Sequence, residues 1–365
     1  MIKRFFESAL PLSDNRKDNR RNLALLIVSA CLLVVAIFAV VYIIFLRNRS
    51  TAEITGVKPN SVNIIEECKN FSKLTGLCVA NAELVSPPII AVMIENIPDA
   101  YPLHGLNDAS IVYEAPVEGG ITRFMAIYSA SSTVVKAGPV RSARPYYLDW
   151  ASEYGDALYM HCGGSPDGLD EIADRNIFDA NEFYRGSYFW RDSARIAPHN
   201  LFTSSENWQR YLSVYGGKRT ARDWTGFKFG DIATNTESVA KFNLEYIKRF
   251  VIGWQYSSPS TTYERLLNDE LFLDDKNQPI TADNIIVQFA SVSVLDEVGR
   301  RKIVTVGSGD ARVFRNGQMI RATWKKESEN SRTRYFDMNG AEIAFTPGRT
   351  WIMVAPLNTP LTIGN

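Results

Sequence analysis

The stretch "STVVKAGPVRSARPYYLDWASEYGDALYMHCGGSPDGLDEIADRN" (Ser132–Asn176) decides the fold. "STVVKA" is rich in β-branched residues and predicts a strand, and "GPVRSARP" (Gly138–Pro145) predicts a loop. "YYLDWASEYG" predicts a helix with Tyr147, Leu148, Ala151 and Tyr154 on one side. The pattern then repeats: "ALYMHC" (Ala157–Cys162) reads as a buried strand, "GGSP" as a loop and "DGLDEIADRN" as a helix. Strand, loop and helix twice in succession predict βαβ units and a parallel or mixed sheet. Both loops then leave the carboxyl edge of that sheet, where open α/β folds bind ligands.

That edge brings together Arg141, Ser142 and Arg144 from the first loop with His161, Gly163, Gly164 and Ser165 from the second. With Ser142 as N-cap, Pro145 falls in the first helical turn, where its missing N–H costs nothing. The arginines, three apart, can grip a phosphate or carboxylate bidentately. "VYEAPVEGGITRF" (Val112–Phe124) supplies two carboxylates, Glu114 and Glu118. With His161 they are the candidates for acid/base chemistry. The same two carboxylates can instead pair with Arg141 and Arg144, and that structural pairing is the expectation. Farther on, "YFWRD" and "APHNLFTS" place Arg191, Asp192, His199 and Asn200 among aromatic residues, a mixture suited to stacking on sugar rings. Cys162 beside His161 points to the opposite strand face, so the two do not form a thiolate pair.

Outward from this core, "PPIIAVMIENI" (Pro87–Ile97) and "ITRFMAIYS" (Ile121–Ser129) predict further strands. After residue 220 the texture changes. "VFRNGQMIRATW" and "TRYFDMNGAEIAF" are strand–Asn-Gly–strand patterns, and "NIIVQFASVSVL", "KIVTV" and "TWIMVAP" add apolar runs. Residues 87–220 are expected to form an α/β domain and residues 221–365 a mostly antiparallel β domain.

Toward the N-terminus, "LALLIVSACLLVVAIFAVVYIIFL" (Leu23–Leu46) holds 24 residues without a charge. A helix of ~20 crosses a bilayer. Lys3, Arg4, Arg16, Lys17, Arg20 and Arg21 precede it, against Arg47 and Arg49 after it. The positive-inside rule makes residues 1–22 a cytoplasmic tail, 23–46 a single transmembrane helix and the rest of the chain extracytoplasmic. "VSAC" (Val28–Cys31) has the form of a lipoprotein cleavage box, yet fifteen apolar residues follow Cys31 where a lipobox normally ends its segment. Uncleaved anchoring is therefore expected. Residues 47–86 read as a juxtamembrane spacer, within which Cys68 and Cys78 are spaced to close a disulfide loop outside the cell. Cys162 is left as a lone thiol.

Composition narrows the function classes. The chain has 365 residues, 45% hydrophobic and 22% charged, which suits one large or two ordinary folded domains. Forty basic residues balance forty acidic ones, so no global field points to nucleic acid. No Walker loop, G-x-S-x-G elbow, H-E-x-x-H or C-x-x-C pattern occurs, and neither metal nor organic cofactor is called for.

Longer motifs in order carry a resemblance. "LTGLCVANAELVSPPIIAVMIENIPDAYPLHGLNDASIVYEAPVEGGITRFMAIYS", "GPVRSARPYYLDWA", "YMHCGGSP", "FWRD", "PHNLFTS" and "TWKKESENSRTRYFDMNGAEIAFTPGRTWIMVAP" resemble the YerB-like family of bacterial extracytoplasmic lipoproteins. This is a domain of unknown function (DUF3048) with N- and C-terminal parts, and the resemblance spans roughly Leu74 to Pro356. It implies an anchored protein of the bacterial cell envelope, with no established catalytic residues to carry over. The expected function is a binding or regulatory protein that recognises an anionic or sugar-containing envelope component, such as a peptidoglycan-type polymer, or a cell-wall synthase. The alternative is a hydrolase or transferase acting on an envelope glycopolymer through its carboxylates.

Overall fold

The computed structural model describes Tyr42 and residues 68–219, 222–230, 236–247 and 250–364. Residues 1–22, expected to be a cytoplasmic tail, most of the expected span Leu23–Leu46 with Cys31, and residues 47–67 lie outside the described residues; Tyr42 is helical. Among the described residues no helix is long and apolar enough to cross a membrane. The chain divides into Met1–Glu67 and a compact unit, Cys68–Asn365, which contains both hydrophobic cores and so can fold without what precedes it.

An eleven-stranded mixed sheet organises this unit. Strand β1 (Ile89–Ile94) is buried at all six positions, the continuous apolar pattern of a strand covered on both faces. It pairs antiparallel with β3 (Thr122–Ser129), which pairs antiparallel with β2 (Ile111–Pro116). On its other side β1 runs parallel to β4 (Leu158–His161), and β4 runs parallel to the edge strand β5 (Asp179–Asn181).

The second half of the chain contributes two groups of strands. β6 (Lys241–Ile247), β7 (Phe250–Ser257) and β8 (Thr262–Leu267) form a small antiparallel sheet. β9 (Asn284–Ala290), β10 (Gly307–Arg315), β11 (Gln318–Lys326) and β12 (Arg334–Asp337) form an antiparallel meander in the large sheet. β13 (Thr350–Pro356) lies parallel to both β9 and β2. It thus zips the strands after residue 220 onto those before it. β14 (Leu361–Gly364) closes the small sheet against β6.

Helices α1 (Pro145–Ala151) and α2 (Pro166–Asp174) cover one face through Tyr147, Leu148, Ala151 and Ile172. The opposite face carries the small sheet, with Phe242, Leu244 and Trp254. It also carries α4 (Ser205–Tyr215), through Trp208 and Tyr211. A one-turn helix, α3 (Glu182–Arg185), follows β5.

Two expectations change. "STVVKA" is not a strand: Ala137, Gly138 and Val140 make only isolated bridges, to Thr203, His104 and Ile94. Gly138 sits at φ 142° and Pro139 has no N–H, so no regular ladder can run through this segment. One predicted βαβ unit remains, β4–α2–β5. Residues 68–86 are not spacer either. The Cys68–Cys78 disulfide forms, Leu74 enters the core at 2% exposure, and Thr75 O accepts from Gly348 N. The apolar Leu74 is better buried in the core on the α1 face than left in water.

Among the apolar runs, "NIIVQFA" and "TWIMVAP" become β9 and β13, with β9 buried throughout. The Asn316-Gly317 turn joins β10 to β11 with both φ values positive, 50° and 70°. That is the backbone a two-residue hairpin requires and Asn-Gly supplies at least cost. The Asn339-Gly340 turn also forms, but its return arm bridges β12 only at Phe336 with Glu342, and Phe345 beyond it bridges Phe229 instead.

Candidate functional site

Because β1, β4 and β5 are parallel, their carboxyl ends share one edge, and Glu95, Cys162 and Glu182 follow those ends directly. The Arg141 loop is threaded into this edge. Arg141 N donates to Met93 O, Cys162 N donates to Arg141 O, and Ala143 N donates to Gly163 O. The two loops foreseen together do meet, as an extension of the sheet between β1 and β4.

The arginines divide the roles. Arg144 is tied to Glu118 by two parallel hydrogen bonds, Nε to Oε1 at 2.7 Å and Nη2 to Oε2 at 2.8 Å. Its Nη1 donates to Ala143 O, so the group is spent within the fold. Burial opposes ionisation of Glu118, but the Arg144 hydrogen bonds and charge prevail and hold its carboxyl below the usual range. Arg141 has a different partner. Its Nε lies 2.8 Å from Glu95 Oε1, an ion pair whose N–H is not aimed at the oxygen. Its two Nη nitrogens take no hydrogen bond among the described residues, and its side chain is 25% exposed. Glu95 is buried at 3% exposure, and its other oxygen lies 2.8 Å from His199 Nδ1. A buried carboxylate thus holds an arginine and a histidine at the sheet edge.

Glu114 is not the second arginine partner and does not face this edge. It is fully buried, with Oε1 accepting from Thr122 Oγ1 at 2.7 Å and Arg265 Nη2 at 2.8 Å. Trp351 Nε1 donates to Oε2 at 2.8 Å. Arg265, also fully buried, stands over the rings of Phe124, Phe272 and Trp351 and ties the small sheet to the large one. A carboxylate saturated with donors and closed to solvent cannot exchange protons with a substrate. Glu118, committed to Arg144, is no freer.

His161 is likewise enclosed, with Nδ1 2.7 Å from Gly163 O and Nε2 3.0 Å from Asp179 Oδ2. Neither nitrogen is left for a ligand. Ser142 is not the N-cap of α1. Arg144 holds that position with extended backbone and no capping bond from its side chain, while Ser142 O accepts from Arg123. Ser165 caps α2 through Gly168 N. Gly163 and Gly164 shape the turn, for a Cβ on Gly163 would sit 2.9 Å from the Phe183 ring and one on Gly164 2.9 Å from Leu169.

The aromatic loop does reach the edge. Arg191 Nη2 lies 3.2 Å from Glu182 and its Nη1 donates to Asn200 Oδ1 at 3.0 Å. Asp192 pairs with Lys136 at 2.6 Å, off to the side. Both Arg191 and Arg141 act on Cys162, yet burial and the neighbouring Glu182 carboxylate prevail and push its thiol up. It is a poor nucleophile. Glu95 and Glu182 were missed in the sequence. Their signal is a carboxylate directly after a strand, which is plain in "MIEN" only once β1 is known to run parallel to β4. Among the described residues no cluster of His, Cys, Asp and Glu is placed to hold a metal. The edge therefore offers a guanidinium with free Nη nitrogens, a second arginine, a histidine and an asparagine, which suits recognition of an anion more than bond cleavage.

Two family models match: "Protein of unknown function (DUF3048) N-terminal domain" over residues 74–217 and its C-terminal domain over residues 242–352. The chain is 31% identical over 289 residues to the Bacillus subtilis (strain 168) protein named "Putative lipoprotein YerB", covering 78% of this chain and 85% of that protein. A crystal structure of YerB from Bacillus subtilis superposes with a TM-score of 0.72 at 28% identity, covering 81% of this chain and 100% of the other. The two models fall on either side of residue 220, and the single sheet joined at β2–β13 explains why both occur in one compact unit. The chain belongs to the DUF3048 family.

Proposed function

We propose that the chain is a membrane-anchored, extracytoplasmic binding or regulatory protein of the bacterial cell envelope, and that Arg141 holds a carboxylate or phosphate of an envelope polymer or cell-wall synthase. One observation carries the reading: Arg141 is held by a buried carboxylate through Nε alone, which leaves both Nη nitrogens at the carboxyl edge of three parallel strands. A guanidinium fixed in this way loses little rotamer entropy on binding and can make two charge-assisted hydrogen bonds. The lipoprotein relative and the uncharged run Leu23–Leu46 support anchoring. The excess of basic residues before that run supports a single pass with the N-terminus in the cytoplasm. The glycopolymer-hydrolase reading finds no support, since Glu114, Glu118 and His161 are all committed within the fold.

The test is co-sedimentation of purified residues 68–365 with isolated cell walls, for the parent protein and for Arg141→Ala. Loss of hydrogen bonds to a charged group, about 1.5–3 kcal/mol, predicts binding weaker by about tenfold or more. Equal binding by the two proteins refutes the assignment to Arg141, and absence of binding by the parent refutes the polymer as ligand.

A further inference from the structure

A cavity of about 380 Å³ lies along the outer side of the edge strand β5, between α3 and the end of α4. Phe178, Tyr184, Tyr211 and Tyr215 form its walls, and Arg185 and Lys218 stand at its rim. None of these side chains takes part in the Arg141 edge.

The charges around this cavity are unevenly committed. The Asp179 carboxylate is held by His161 Nε2, and Arg219 is spent on Asp156 through bonds of 2.7 and 2.8 Å. Arg185, by contrast, pairs with no carboxylate among the described residues; its contacts there are a 3.5 Å bond to Tyr184 O, the Tyr211 side chain, and the Tyr215 ring 5.0 Å away. Among the described residues Lys218 makes no hydrogen bond or ion pair, and it lies 5.9 Å from the centre of the same ring. Two exposed cations thus flank one tyrosine. Tyr184 beside them is 79% exposed, and an aromatic side chain this open gains from being covered.

The volume limits the ligand. A bare anion of a few atoms would leave the cavity mostly filled with water, at ~30 Å³ per molecule. The ring-lined wall calls for a body with apolar faces, and the rim calls for negative charge. Asn181 in the lining adds an amide N–H that can hydrogen-bond a hydroxyl, its Oδ1 being taken by Gly163 N and Phe183 N. Sugars present apolar C–H faces and hydroxyl edges together. We propose that this cavity binds a sugar phosphate, with the tyrosines against the sugar ring and Arg185 and Lys218 on the phosphate. The proposal does not depend on the Arg141 reading.

The experiment is calorimetric titration of residues 68–365 with glucose 1-phosphate, glucose and inorganic phosphate in turn. Saturable binding of glucose 1-phosphate, tighter than either fragment, is expected. Arg185→Gln/Lys218→Gln should weaken it by about a hundredfold, about tenfold for each charged hydrogen bond lost. Tyr184→Ala should weaken glucose 1-phosphate but leave inorganic phosphate unchanged. All three side chains are exposed, so thermal melts of the variants should overlay the parent. No binding of glucose 1-phosphate by the parent, or undiminished binding by the double variant, overturns the proposal. So does loss of binding in Arg141→Ala, which would place the ligand at the sheet edge instead. Binding only to phosphatidylglycerol vesicles would make this face a membrane contact and also overturn it.

Discussion

Replacing Glu114 by glutamine tests the claim that this carboxylate is structural. Every neighbour of its two oxygens is a donor: Thr122 Oγ1, Arg265 Nη2, Trp351 Nε1 and, at 3.4 Å, Asn96 Nδ2. A carboxylate accepts all of them, whereas an amide sets its own N–H groups against donors on one side. It also leaves the fully buried Arg265 charge without its counter-ion, and Arg265 Nε and Nη1 already have no hydrogen-bond partner. Removing one member of a buried ion pair costs about 3–5 kcal/mol. At the low end of about 2 °C per kcal/mol for a domain this large, the melting temperature of residues 68–365 should fall by roughly 6–10 °C. Urea unfolding followed by circular dichroism gives the same quantity independently. Glu114→Leu combined with Arg265→Met should recover much of the loss, because the pair is then replaced by apolar volume rather than broken. A Glu114→Gln protein within about 0.5 kcal/mol of the parent would refute the structural reading and return Glu114 to the candidates for chemistry.

Glu118 carries a pH signature. Its folded carboxyl sits below the ordinary 4.5, so the Arg144 pair contributes fully above that value and its contribution fades as pH falls through the depressed folded value. Glu118→Gln should therefore destabilise the protein near neutrality and lose this part of the acid dependence; parallel stability curves for the two proteins below pH 5 would refute the assignment. Cys68→Ser/Cys78→Ser opens a loop of sequence separation 10 that carries the core residue Leu74. It should cost about 3 kcal/mol in urea unfolding, and an unchanged midpoint would show that the loop is held by packing alone.

The physics of short range was legible in the sequence. Apolar runs marked β1, β4, β9 and β13, because a strand buried on both faces has little polar phase to show. Asn316-Gly317 marked a hairpin, because few other pairs tolerate two positive φ values. Pairing of Glu114 and Glu118 with the two loop arginines was expected, and it occurs only for Glu118 with Arg144. What the sequence could not decide was every choice made between distant segments. "STVVKA" has strand propensity, but Gly138 and Pro139 and the bridges to Thr203 and His104 override it. Glu114 was expected to pair with one of the loop arginines, Arg141 or Arg144, yet its partner is Arg265, 151 residues away, brought there by the small sheet packing on the large one. Arg141 takes Glu95 instead, because β1 runs parallel to β4 and carries that carboxylate to the same edge. Ion pairs form between whichever opposite charges burial forces together. Composition and periodicity determine which segments are buried; only the tertiary structure decides which charges meet there.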